Sequence, residues 1–230
     1  MTTIPGNLQH VRARIATACQ RAGRGVEEVT LLAVSKTFGA DAVRAAAAAG
    51  QRAFGENYIQ EGVEKIAALR DLGLMWHCIG TIQSNKTRLV AEHFDWVHTV
   101  DRLKIAERLS AQRPADRPPL NVCIQVNIDG GANKSGVAPG DALALARAVA
   151  ALPQLKLRGL MSIPEIAPDF EAARAVHAGA RALFDQLNAD GLGLDTLSMG
   201  MSDDLEAAIA AGSTMVRIGT AIFGSRAPKP

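Results

Sequence analysis

Lys36 follows a short apolar run, residues 31–34, and Ser35. A lysine at the end of a buried strand has two ordinary fates. It reaches water along its methylene stem, or it sits in a partly apolar pocket where burial disfavours its charged form. A neutral amine in such a pocket is a nucleophile that condenses with an aldehyde to give a Schiff base. Far along the chain, GMSDD (200–204) and RIGTAIFG (217–224) carry residues suited to an anion. Gly200 and Ser202 precede a helical pattern, and a helix start favours negative charge. Gly219 and Thr220 stand at the end of the last apolar run, where a backbone without a Cβ can approach a ligand closely. Taken singly, Ser202 reads as an N-cap and Gly219 as relief of crowding; on adjacent strand ends, the pair favours phosphate. Arg217 lies two residues before Gly219 and so on the same strand face. That placement suits either a guanidinium near a barrel axis or a structural ion pair. An aldehyde-reactive lysine, a phosphate site and an inward arginine together fit pyridoxal 5′-phosphate (PLP), whose aldehyde, phosphate and ring nitrogen need three different partners.

The elements that must position these groups are legible as an alternation. Leu8, Val11, Ile15, Ala18 and Ala22 recur at helical spacing, and Gly23 and Gly25 end that helix. Apolar strand-like runs then follow at 30–34, 53–54, 75–79, 96–100, 122–127, 157–163, 196–201 and 215–223. Helical patterns separate most of them. Ser84 or Asn85, Asp101 and Ser202 are the expected caps of three of these helices, and a further helix follows Asp169. The stretch PADRPPL (114–120) reads as a loop. Strands that are continuous apolar runs are covered on both faces, the mark of parallel strands. Eight such units in 230 residues predict a (β/α)8 TIM-type barrel. Residues 1–230 are expected to form one domain, with an extra N-terminal helix filling the ring position that no long helix after the eighth strand supplies. A doubly wound open sheet is the competing architecture. In the barrel, function belongs to the C-terminal strand ends. That rule selects Lys36, Glu56, Asn57, His77, Gly80, Gln83, Ser84, Asn127, Lys134, Ser135, Ser162, Pro164, Gly200, Ser202, Arg217, Gly219 and Thr220.

Some signals are discounted. GTIQSNKT (80–87) approaches the nucleotide loop GxxxxGK[ST], but Asn85 replaces its second glycine. His77 and Cys78 are adjacent on a strand and point to opposite faces, so they make no metal pair and no metal is expected. Asp203 and Asp204 suit the first turn of a helix. Lys+Arg 25 against Asp+Glu 23 leaves +2, which argues against nucleic acid as a partner. No run approaches the ~20 apolar residues that span a bilayer, and no apolar leader is evident. Three separated cysteines, Cys19, Cys78 and Cys123, read as reduced thiols. Together these predict a cytoplasmic protein.

The chain also resembles a known family, the pyridoxal phosphate homeostasis proteins, which are single-domain relatives of the alanine racemase N-terminal barrel. AVSKT (33–37), FGENYIQE (54–61), WHCIGTIQSNK (76–86), QVNI (125–128), KSG (134–136), LRGLMSIP (157–164), LSMGMSDD (197–204) and VRIGTAIFG (216–224) carry the resemblance, in order. It implies that Lys36 carries PLP as an internal aldimine. It further implies that Ser202, Gly219 and Thr220 hold the phosphate, that Arg217 faces the pyridine nitrogen, and that Asn57, Met199 and Gly200 line the pocket. An arginine there does not readily give up a proton, so the ring stays unprotonated and is a weaker electron sink. Phe38 and Gly39 stand where relatives often have Lys and Pro, and Thr81 where many have Pro or His.

A racemase of this fold needs a second base on the far face of the cofactor. The one tyrosine, Tyr58, lies beside the second strand, and the 230 residues are expected to include no second domain that would supply such a base. The expected function is therefore intracellular PLP binding and delivery, not turnover, by a monomer that passes PLP to dependent apoenzymes. The alternatives are a PLP-dependent amino-acid racemase or decarboxylase, and a nucleotide binder acting through residues 80–87.

Overall fold

Eight short parallel strands close into a barrel in sequential order in the computed structural model, which describes residues 3–131 and 135–225. They are β1 (Thr30–Val34), β2 (Ala53–Glu56), β3 (Met75–Cys78), β4 (Trp96–Val100), β5 (Leu120–Gln125), β6 (Leu155–Met161), β7 (Thr196–Ser198) and β8 (Met215–Ile218). Closure is made by β1 against β8, with Leu32 opposite Arg217. The helices between them are α2 (Ala40–Ala48), α3 (Ile59–Ala68), α4 (Thr87–His93), α5 (Leu103–Gln112), α6 (Ala142–Ala150), α7 (Phe170–Ala189) and α8 (Leu205–Ala210). The open-sheet alternative is excluded by that closure.

The N-terminal helix α1 (Ile4–Arg21) packs against α2, α8 and the four-residue α9 (Thr220–Phe223). Its buried stripe, Leu8, Val11, Ile15, Ala18 and Cys19, is the periodic face read from the sequence. Asn7 Nδ2 donates to the Ile222 carbonyl at 2.9 Å and ties α1 to the end of the barrel. The ring vacancy after β8 is thus filled from the other end of the chain.

Several boundaries differ from the sequence reading. The last apolar run is not one strand: β8 stops at Ile218 and residues 220–223 are helical. Apolarity alone cannot distinguish those two conformations. β5 and β6 each start and stop two residues earlier than expected, and β7 is only three residues long. The expected caps also shift. A 3-10 turn, Ser84–Lys86, precedes α4, and Arg102 rather than Asp101 holds the N-cap position of α5. Asp169 does cap α7, accepting from Ala172 N at 2.8 Å.

Most of the hydrophobic core lies between the sheet and the helices. The barrel interior is more mixed. Leu32, Val34, Ile79 and Met215 form one small apolar cluster, and Trp96, Cys123 and Met161 another. Buried polar side chains, His77, His98, Ser198 and Arg217, share the interior with them. Barrels of this type usually fill that space with branched apolar residues, so the polar set marks this one.

Candidate functional site

Lys36 leaves β1 at its C-terminal end and lines a cavity of about 190 Å³. Asn57 from the end of β2, Ser202 from the loop after β7, and Arg217, Gly219 and Thr220 from β8 and its end line the same cavity. Six of the eight residues singled out from the sequence therefore converge. Met199 and Gly200 are not among its lining residues. Met199 is fully buried in a cluster with Leu197 and Ala208. Gly200 has φ +92° and turns the chain so close to α8 that a Cβ would stand 2.4 Å from that of Ala208. Met201, 38% exposed, takes their place in the lining. A wider cleft of about 650 Å³ adjoins the cavity and shares Asn57, Ile79, Ile163 and Met201 with it.

Arg217 is 4% exposed. Its Nη1 donates to Ser198 Oγ and its Nη2 to the Ser162 carbonyl, both at 2.8 Å. No carboxylate pairs with it at ion-pair distance among the described residues, so the structural ion-pair reading fails. Burial pulls its pKa down to about 10, with Asp204 partly opposing. The guanidinium remains a cation at neutral pH and has donor capacity left to offer the cavity.

Behind Arg217 runs a chain that sequence reading missed. Ser198 Oγ lies 3.0 Å from His98 Nδ1, and His98 Nε2 lies 2.9 Å from His77 Nδ1. Arginine only donates, so Ser198 Oγ accepts from Arg217. The serine hydroxyl and the two imidazoles thus form one continuous hydrogen-bonded chain. His77 stacks on Trp96 at 5.1 Å. Burial holds both imidazoles neutral, with the His77 pKa lowered to about 3 and that of His98 well below its ordinary value. No sequence signal connects residues 98 and 198, because the contact is created by barrel closure.

Ser202 does not cap α8 as expected. Asp204 occupies the N-cap position, its Oδ1 accepting from Met201 N at 2.6 Å and its Oδ2 lying 2.9 Å from His177 Nε2. Ser202 is left to face the cavity, where its Oγ accepts from Ala221 N at 3.4 Å. Arg14 of α1 holds the Ser202 carbonyl at 3.0 Å and pairs with Glu206 at 2.8 Å. Asp203 precedes the helix instead of lying in its first turn, and it also lines the cavity. Gly219 passes within van der Waals reach of β1, where an added Cβ would sit 3.3 Å from the Val34 carbonyl.

The Lys36 loop is held from below. Glu56, expected at a functional strand end, is instead buried beneath it. Glu56 Oε1 accepts from Ser35 Oγ at 2.6 Å and from Lys65 Nζ at 2.8 Å. Burial raises its pKa, and the bonds to Lys65 and Ser35 oppose that rise. Asn57 Oδ1 and Ser162 Oγ are buried without partners among the described residues.

The remaining candidates fall elsewhere. Tyr58, half exposed, starts α3 and does not line the cavity. In the nucleotide-loop segment, Thr87 is buried, donating to the Ser84 carbonyl and accepting from Arg108, so its hydroxyl is already committed. Gly80 abuts the Asn57 carbonyl rather than forming an open cradle. Gln83 and Ser84 lie outside the cavity and the cleft, and Ser135 and Pro164 line the cleft only. Asn127 turns to the Gly131 carbonyl at 2.8 Å. Lys134 lies outside the described residues.

These residues fit PLP. The cavity joins a primary amine, a half-used buried guanidinium, an unpartnered amide oxygen and a hydroxyl beside a glycine-bearing strand end. The chain matches the alanine racemase N-terminal domain family over residues 6–227. It is 64% identical over 226 residues to a pyridoxal phosphate homeostasis protein of Pseudomonas aeruginosa, covering 98% of this chain and 97% of the relative. It is 58% identical over 236 residues to its namesake in Escherichia coli K12, covering 98% of each. Among solved structures, PipY of Synechococcus elongatus with PLP bound superposes with a TM-score of 0.79 at 39% identity, over 91% of this chain and all of that one.

Proposed function

The chain belongs to the pyridoxal phosphate homeostasis protein family, within the wider alanine racemase N-terminal domain family, and from that premise we propose that it binds PLP in the Lys36 cavity and serves PLP homeostasis. The observation that carries this reading is the convergence of Lys36, Asn57, Ser202, Arg217, Gly219 and Thr220 on one cavity. When bound, PLP supplies an aldehyde that a primary amine captures and a ring that withdraws electrons. Lys36 is the amine that anchors it. Arg217 would offer its guanidinium to the ring nitrogen and, being a cation of pKa about 10, would keep its own protons. Ser202 and Thr220 offer hydroxyls, and Gly219 close backbone, to the phosphate. Asn57, whose side-chain carbonyl oxygen is buried without a partner among the described residues, would supply a further polar contact.

The arrangement favours holding and releasing the cofactor over turning substrates over. Racemisation needs a second proton acceptor opposite the lysine, and no tyrosine lines the cavity. The adjoining cleft, which shares four lining residues with the cavity, is where PLP would pass to recipient apoenzymes. Among the described residues no helix is long and apolar enough to cross a membrane.

Incubation with PLP followed by borohydride reduction and peptide mass mapping tests the reading. The expected result is stoichiometric labelling at Lys36 that is absent from Lys36→Ala. Labelling spread over surface lysines, with Lys36 unmodified, would defeat it. The racemase reading has its one foothold in Asp203, the carboxylate in the lining. Exchange of an amino acid α-proton at enzyme-like rates by the wild type, abolished in Asp203→Asn, would establish turnover instead.

A further inference from the structure

Lys36 is gripped on both sides by a buried ion cluster. Lys65, 6% exposed on α3, spends its three ammonium hydrogens on three oxygens: the Ser35 carbonyl at 2.7 Å, Glu56 Oε1 at 2.8 Å and Glu61 Oε1 at 2.6 Å. Glu61 Oε1 also accepts from the backbone N of Thr37 at 2.6 Å. Ser35 Oγ closes the set on Glu56. The residue before Lys36 is thus tied through its carbonyl and hydroxyl, and the residue after it through its amide.

Thr37 has φ +69°, and no other non-glycine residue among those described has a positive φ. A β-branched residue in that region is strained and persists only where its surroundings over-determine it. The bond from Glu61 is the restraint visible on that amide. The 35–38 turn is also closed by Phe38 N donating to the Ser35 carbonyl at 3.1 Å, the same oxygen that Lys65 holds.

We propose that Lys65, Glu56 and Glu61 form a positioning clamp that holds Thr37 in its strained conformation and thereby aims the Lys36 amine into the cavity. This rests on the reading of Lys36 as the PLP anchor. The step it would serve is condensation of the neutral Lys36 amine with an aldehyde. A C=N bond replaces C=O, and the oxygen leaves as water with both amine protons.

The test separates aiming from binding. The rate at which added PLP becomes borohydride-fixed at Lys36 reports aiming. The affinity for pyridoxine 5′-phosphate, which lacks the aldehyde, reports the phosphate and ring contacts alone. Hydrogen exchange of the Thr37 amide in the cofactor-free protein reports the clamp itself. Glu61→Ala is expected to slow fixation by roughly tenfold, the scale that one strained backbone residue commands. It should speed Thr37 exchange and leave pyridoxine 5′-phosphate affinity within about twofold. Glu61→Gln, which keeps an acceptor oxygen, should restore most of the rate. So should Thr37→Gly in the Glu61→Ala background, because glycine adopts positive φ freely. Unchanged fixation in Glu61→Ala, an equal loss in fixation and in pyridoxine 5′-phosphate affinity, or no recovery with Thr37→Gly would each overturn the clamp while Lys36 labelling in the wild type stands. Failure of wild-type labelling would instead overturn the anchor reading, and the clamp's purpose with it.

Discussion

Arg217 Nη1 and Ser198 Oγ meet at 2.8 Å in the barrel interior, and the same oxygen stands 3.0 Å from His98 Nδ1. One hydroxyl therefore joins the cavity's buried cation to a pair of neutral histidines. Because arginine cannot accept, Ser198 Oγ is the acceptor in that contact.

Arg217→Met should lower PLP affinity by roughly 10- to 100-fold, since a hydrogen bond to a charged group contributes about 1.5–3 kcal/mol. The cofactor-free protein should lose little stability. Removing an unpaired buried charge relieves its desolvation, which offsets the loss of its bonds to Ser198 and the Ser162 carbonyl. Equilibrium binding and chemical denaturation, measured side by side, check both halves. A variant that unfolds readily but binds PLP normally would contradict the assignment.

The histidine pair predicts acid sensitivity. His77 titrates near 3 in the folded state and about 6.5 unfolded, so between those values the unfolded chain binds more protons. Stability is complete above about 6.5 and falls as pH drops toward 3, by up to ~1.4 kcal/mol per pH unit for each histidine held neutral. Denaturation midpoints followed from pH 7 to 4 should show this slope, and His77→Phe should reduce it. An equal slope in that variant would place the acid sensitivity elsewhere.

Lys65→Met should destabilise the fold by about 3–5 kcal/mol, because it leaves Glu56 buried with its charge uncompensated. Adding Glu56→Gln should recover a large part of that loss. A double-mutant cycle by urea unfolding reads the coupling, and additive losses would show that the two groups do not act as a pair.

Gly80→Ala would drive a Cβ to 2.0 Å from the Asn57 carbonyl, so backbone must shift at a cavity residue. We expect a cost of about 1–3 kcal/mol and weaker PLP binding. Gly159→Ala meets the Thr196 carbonyl at 1.6 Å, between β6 and β7 away from the cavity lining. It should cost stability with a smaller effect on binding. Thermal unfolding and PLP titration of both variants distinguish a site glycine from a barrel glycine.

Residue order alone determined the barrel, the ring position of α1, and the six cavity residues. Parallel covered strands leave continuous apolar runs, and the strand-end rule then points to Lys36, Asn57 and Arg217 without knowledge of any contact. Hydrophobic periodicity is blind to what interrupts it, however. It ran β8 through α9, because both are apolar. Met199 and Gly200 were implied for the lining by the family resemblance rather than by periodicity, and they lie outside the residues that line the cavity. Tertiary structure decided which hydroxyl faces the cavity: Asp204 takes the helix cap with His177 behind it and leaves Ser202 for a ligand. It alone assembled the His77–His98–Ser198–Arg217 chain and the Lys65 cluster under Lys36. Their bonded members are 4 to 100 residues apart. Only closure of the barrel and packing of α3 beneath β1 and β2 bring such groups within hydrogen-bond reach, and neither event leaves a periodic trace in the sequence.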